Sequence, residues 1–192
     1  MTPKAPPTTR SEFLEGIAEE FLHNASHGRR LIAVEAGTEP GVDARAEPGV
    51  EAPAEPGVEA RADAGADARA AVDSARFADG LADVLAAHGQ SVVRASVGEA
   101  DEAALRADTI EPFRSGAMAG ATADSVLVVD GRHLLDDGVR GIWHFSLWLL
   151  AGDELPHSGA SVIVDATDAA SPSRFFYDYC ALPPSVNRPG LR

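Results

Sequence analysis

Apolar positions recur along this chain with two different periods, and the alternation between them sets the expected architecture. Thr9-Arg10-Ser11-Glu12 has the spacing of a capping box, a Thr hydroxyl serving the free helix amides and a Glu reaching back. Phe13, Ile17, Phe21 and Leu22, with Ala18 and Ala25, follow at helical spacing until Gly28. This pattern predicts an amphipathic helix over 10–27. Leu31-Ile32-Ala33-Val34 is then continuously apolar and ends at Glu35-Ala36-Gly37, as a buried strand running into a turn does. Further on, Asp73 or Ser74 can cap a second helix with Phe77, Leu81, Val84, Leu85 and His88 on one face and Gly89 at its end. Residues 91–96 read as a second strand, 99–107 as a weak helix and 125–130 as a third strand ending in a carboxylate. Residues 134–142 read as partly helical, 145–150 and 160–165 as two more strands. Apolar strands alternating with helices predict an α/β fold, a mostly parallel sheet covered by helices on both faces. Ligands of such sheets bind beyond the carboxyl ends of the strands, here Gly37, Ser96, Asp130, Ala151 and Asp165.

Residues 38–69 break the pattern. They divide into four octads, TEPGVDAR, AEPGVEAP, AEPGVEAR and ADAGADAR, each with two acidic residues four positions apart. Pro40, Pro48, Pro53 and Pro56 oppose continuous helix. Valine is the one sizeable apolar residue, and the fourth octad lacks it, so the tract has too little to bury against its ordering entropy. A solenoid would need a continuous apolar stripe. The expected organisation is therefore a first piece of the domain over 1–37, a disordered acidic insertion over 38–72, the remainder of the domain over 73–180, and a loose Pro-rich tail over 181–192.

Charge narrows the partners. The chain has 16 Lys and Arg against 30 Asp and Glu, a formal charge of -14, and shows no basic cluster. Such a surface repels nucleic acid and anionic membranes, while the octads suit a basic protein partner. One cysteine, Cys180, permits no internal disulfide and makes a reduced, cytoplasmic setting the default. Its expected role is that of a small buried side chain. The first ten residues lack the apolar stretch of a secretory signal, and the apolar run over 142–151 is too short to span a bilayer.

At the level of ordered segments the chain resembles the bacterial uridine kinase-like branch of P-loop nucleoside kinases. The likeness rests on "RRLIAVEAG", "ARFADGLADVLAAHGQSVVRAS", "ADSVLVVDGRHLL", "GIWHFSLWL" and "ASVIVDATDAASPSRFFYDYC", taken in that order. It covers most of the chain outside 38–72 and the two ends. The resemblance implies a P-loop NTPase-like fold, ATP with Mg²⁺ as cofactor, and transfer of a phosphoryl group to a nucleoside hydroxyl. In that family the first strand leads into G-x-x-x-x-G-K-[ST], whose backbone amides surround the phosphates while the Lys neutralises charge and the hydroxyl holds Mg²⁺. Gly37 matches the first glycine. Asp73, Ser74 and Ala75 stand where Gly-Lys-Thr is expected, Arg76 follows, and no lysine occurs after Lys4.

The other stations of the family are uneven. Glu99 stands near the place of the acceptor base but lacks the aromatic–His pair that follows it in the family. Asp130-Gly131 resembles the strand-end carboxylate that orients Mg²⁺-bound water, with a plain strand-terminating turn as the structural alternative. Thr167 and Asp168, in Asp165-Ala166-Thr167-Asp168, resemble the run near which an adenine rests. The arginine-bearing lid is missing between Gly152 and the last strand, leaving His157 as a possible donor. His23 and His27 share a helix face at i, i+4, but a solvated helix end explains them more simply. Trp143, Phe145 and Trp148 read as core and sheet residues. These residues imply a degenerate uridine kinase-like protein. An active nucleoside kinase with a rebuilt phosphate site, and a non-catalytic module binding a nucleotide or a basic partner, are the alternatives.

Overall fold

The computed structural model describes residues 9–37, 73–99, 101–151 and 156–176. The octads, Cys180 and the Pro-rich tail lie outside them. Helix α1 spans Arg10–Asn24 and opens with the full capping box: Thr9 accepts from the Glu12 amide, and Glu12 accepts from the Thr9 backbone. Strand β1 is Arg30–Ala36. Helix α2 is Ser74–Ala87, capped by Asp73. Strand β2 is Ser91–Ser96, β3 is Ser125–Gly131, β4 is Phe145–Leu150, β5 is Val162–Asp165 and β6 is Ser173–Arg174.

These strands form one six-stranded sheet in the order β2-β3-β1-β4-β5-β6, parallel except for β6. The fold is thus mixed α/β with a mostly parallel sheet, as the alternation of patterns requires. Strand β1 lies between β3 and β4 and is buried on both faces. Ile32 and Val34 face α1 and α2, joining Phe13, Phe21, Phe77 and Leu81 in one core. Leu31 and Ala33 face the other way, toward Leu105, Ile110, Phe113 and Leu134. Helices therefore cover both faces.

Several elements differ from the sequence expectation, among them α1, which stops at Asn24 and leaves His27 outside it. The weak helix placed at 99–107 is longer and irregular: α3 over Glu102–Leu105, a π-helical turn over Arg106–Ile110 and α4 over Glu111–Ser115. Pro112 has no N–H to donate, and the Glu111 amide reaches back five residues to the Arg106 carbonyl, so the chain widens by one residue instead of stopping. The helical content of 134–142 shrinks to a 3₁₀ turn over Arg140–Ile142. His88 is not on the buried face of α2. It is the C-cap residue and meets Glu15 of α1 at 2.6 Å.

The amino end of the sheet is tied by Arg30, whose side chain is buried. It donates to the carbonyls of Ala25 and Gly28, to Gln90 at 2.9 Å and to Asp124 at 3.1 Å. The opposite, carboxyl end is left for a site.

Candidate functional site

Connections leave neighbouring strands β1 and β3 in opposite directions, β1 toward β2 and β3 toward β4. A crevice opens at the carboxyl ends of two such strands. Register makes those ends level: Val34 pairs with Asp130, Glu35 with Gly131, and on the far side Ser96 with Asp130. As the chain leaves β1, the Gly37 amide donates to the Leu149 carbonyl at 2.9 Å. It returns at Asp73, whose carboxylate accepts from the Arg76 amide at 2.8 Å. The first-turn amides of a helix attract anions, and here the helix supplies its own. Ser74 is the first residue of α2 and is half-buried, while Arg76 is exposed.

Asp130 is buried, with 4% of its surface exposed. Its Oδ2 accepts from the Ser96 hydroxyl at 2.9 Å. Its Oδ1 lies 2.7 Å from the Arg94 guanidinium, off the N–H line, so the contact is one of charge and not an aligned hydrogen bond. The remaining Arg94 donors reach Asp79 at 2.9 Å, the Ala95 carbonyl at 2.7 Å, the Val128 carbonyl at 3.2 Å and the Ala75 carbonyl at 3.2 Å. Both Asp130 oxygens are therefore committed to protein partners, and the residues present do not fit a Mg²⁺ ion there. Among the described residues no three His, Cys, Asp or Glu side chains form a group that could hold a metal.

Asp130-Gly131 stands at the end of β3. Gly131 is still in β3, and its hydrogen leaves room for the β2 loop to cross. A Cβ there would stand 2.6 Å from Val97 Cγ2 and 2.9 Å from the Gly98 carbonyl oxygen. The crossing is held by the Val97 amide on the Asp130 carbonyl at 3.0 Å and the Arg132 amide on the Gly98 carbonyl at 2.7 Å.

Glu99 follows this crossing and is ion-paired with Arg132. Together with Asp101, Glu102, His133, Asp136, Gly138 and Val139 it lines a cavity of about 530 Å³. Of its four carboxylates, Glu99 is paired with Arg132 and Glu102 with Arg106, and the wall brings no surplus positive charge to a phosphate. Glu35, at the end of β1, is buried beneath this region. Its Oε1 accepts from the His133 amide at 2.7 Å and its Oε2 from the Leu135 amide at 2.9 Å. Burial raises its pKa, against the opposing effect of the two amides. Thus Glu35 shapes the β3 loop, including His133 with its φ of 63°.

At the last strand, Asp165 accepts from the Thr167 amide at 3.0 Å and Asp168 from the Ala170 amide at 2.9 Å. The Ala170 carbonyl in turn takes the Arg10 amide at 2.9 Å, which seats this loop on α1. Thr167 and Asp168 are exposed on it. His157 lies against Trp148, ring centroids 5.1 Å apart. Burial, then the Arg140 charge, lower its pKa, against the opposing charges of Asp136 and Asp137. His144 is structural: its Nδ1 accepts from the Leu31 amide at 3.1 Å. His23 and His27 are exposed.

Gly37, Asp130 and the start of α2 are thus brought to one edge of the sheet, with Glu99 on the adjoining loop. Sequence reasoning missed Arg94 and Glu35. Their signal was present: each is a charged residue inside an otherwise apolar or small-residue strand, where a charge must find a partner.

Fold and edge together define an α/β protein whose candidate site sits at the carboxyl ends of β1 and β3. No family profile matches the chain. No curated protein matches it. Among solved structures it is similar to a protein from a Silicibacter species provisionally named a fructose transport system kinase, at 16% identity and a TM-score of 0.38, over 79% of this chain and 77% of that one.

Among the described residues no helix is long and apolar enough to cross a membrane.

Proposed function

We propose that this chain is a nucleoside kinase-type α/β protein, similar to uridine kinases, in which phosphoryl transfer is impaired or lost. The ordered segments of the resemblance, together with the placement of Gly37 and Asp130 at one sheet edge, support the scaffold half of this reading. One observation carries the other half. Acidic groups at the edge already have partners inside the chain: Asp130 has Arg94 and Ser96, Asp73 has the Arg76 amide, and Glu99 has Arg132. No lysine follows Lys4 to neutralise a transferring phosphate. Cations placed in advance on that charge are worth orders of magnitude in rate. Any nucleotide held here is bound without efficient turnover, and the single cysteine favours a reduced, cytoplasmic setting.

Calorimetry with ATP, with and without Mg²⁺, reads binding. A coupled assay with uridine and cytidine reads transfer. We expect rates far below about one per second, the lower end of ordinary kinase turnover. A turnover near that value would mean a working enzyme. A second reading, an interaction module for a basic protein, draws on the formal charge of -14. Salt-sensitive capture of a basic partner, lost when the octads are removed, would favour it.

A further inference from the structure

A guanidinium and a hard divalent cation ask for the same surroundings, a shell of oxygen atoms with net negative charge. Around Arg94 that shell is built. It consists of carboxylate oxygens from Asp79 and Asp130 and main-chain carbonyls of Ala75, Ala95 and Val128. The atoms come from β2, β3 and the first turns of α2, so one cation joins three elements at the candidate site. Two carboxylates face one guanidinium, so the cluster carries no surplus positive charge to offer a polyphosphate.

We propose that Arg94 is a permanent internal cation standing where a divalent metal would otherwise meet Asp130, so that binding at the carboxyl edge of β1 and β3 is independent of metal. Regarding Asp130 as a metal position rests on the kinase-type reading. The filled oxygen shell does not.

The test uses the full chain and Mn²⁺ alone, read by electron paramagnetic resonance and by thermal melting. At about 1 mM Mn²⁺, where weak oxygen-ligand sites fill, the wild type is expected to bind none at Asp130 and to melt unchanged. Arg94→Ala leaves two carboxylates without their counter-ion. It should melt several degrees lower, bind Mn²⁺ and recover part of the loss when the metal is added. Adding Asp130→Asn to that variant should abolish both effects. Arg94→Lys keeps a charge in the shell and should remain blind to Mn²⁺. A wild type that binds Mn²⁺ and loses it on Asp130→Asn overturns the proposal. So does an Arg94→Ala chain that folds but ignores Mn²⁺, or one that stays unfolded with Mn²⁺ present, since a metal then does not replace the guanidinium. Calorimetry with ATP is read separately. Failure to bind nucleotide removes nucleotide binding from the kinase-type reading and leaves the Mn²⁺ outcome to stand by itself.

Discussion

His144 shows how one side chain can carry a pH dependence. Its Nδ1 must stay unprotonated to accept the Leu31 amide, and its own amide donates to the Leu31 carbonyl at 3.0 Å. Burial, then the charges of Arg114 and Arg30, lower its pKa below the ordinary 6.5. A histidine whose folded pKa is depressed contributes stability above its unfolded pKa and loses it as pH falls through the folded value. Melting temperature should therefore drop between neutrality and mild acid. His144→Asn, whose amide oxygen can take over the acceptor role, should show a smaller drop, and parallel losses in the two proteins would refute the coupling. Residues of this kind were only half legible in the sequence. Glu35 and Arg94 announce by their charge that partners exist. The Leu135 amide that answers Glu35 lies 100 positions away, and the Val128 carbonyl that answers Arg94 lies 34 away. Only the assembled sheet pairs them.

Helices α1 and α2 were readable because their signals are local, a cap followed by apolar residues at helical spacing. The stretch around Pro112 was not, because the reach of the Glu111 amide back five residues to the Arg106 carbonyl has no signature in local apolar spacing. The two-residue β6 carries no periodic signal at all and exists through its pairing with Val164 and Asp165. Asp73 was legible both as a cap and as an acid standing where a phosphate is expected, and the fold adds that it occupies the Arg76 amide. Replacing it with Ala should cost about 1 kcal/mol of stability, the usual worth of such a cap. The same change removes a negative charge from the helix start and frees the Arg76 amide. Affinity for pyrophosphate, measured by calorimetry, should then rise a few-fold, in line with a helix-terminus charge effect below about 1 kcal/mol. Unchanged affinity would mean that this helix start does not face the ligand.

Among the described residues both cores are built from positions before Gly37 and after Asp73, and the octads offer little apolar side chain to add to them. Replacing residues 38–69 with a short Gly-Ser linker should therefore shift the melting temperature by no more than a few degrees, and a larger fall would show that the octads help hold the fold. Their composition also bears on how the chain reaches its fold. The central strand β1 is made early, yet its neighbours arrive late: His144, beside β4, lies 113 residues beyond its partner Leu31. Until then Leu31-Ile32-Ala33-Val34 is an apolar strand with two open edges, the kind of segment that pairs with another copy of itself. Directly after it the chain enters a tract with two acidic residues in every octad, and like charges beside a sticky strand keep copies apart. Exchanging those acids for Asn and Gln should leave the melting temperature alone and lower the refolding yield as protein concentration rises. On that view the tract protects the nascent central strand from intermolecular pairing, a kinetic contribution invisible in the finished fold.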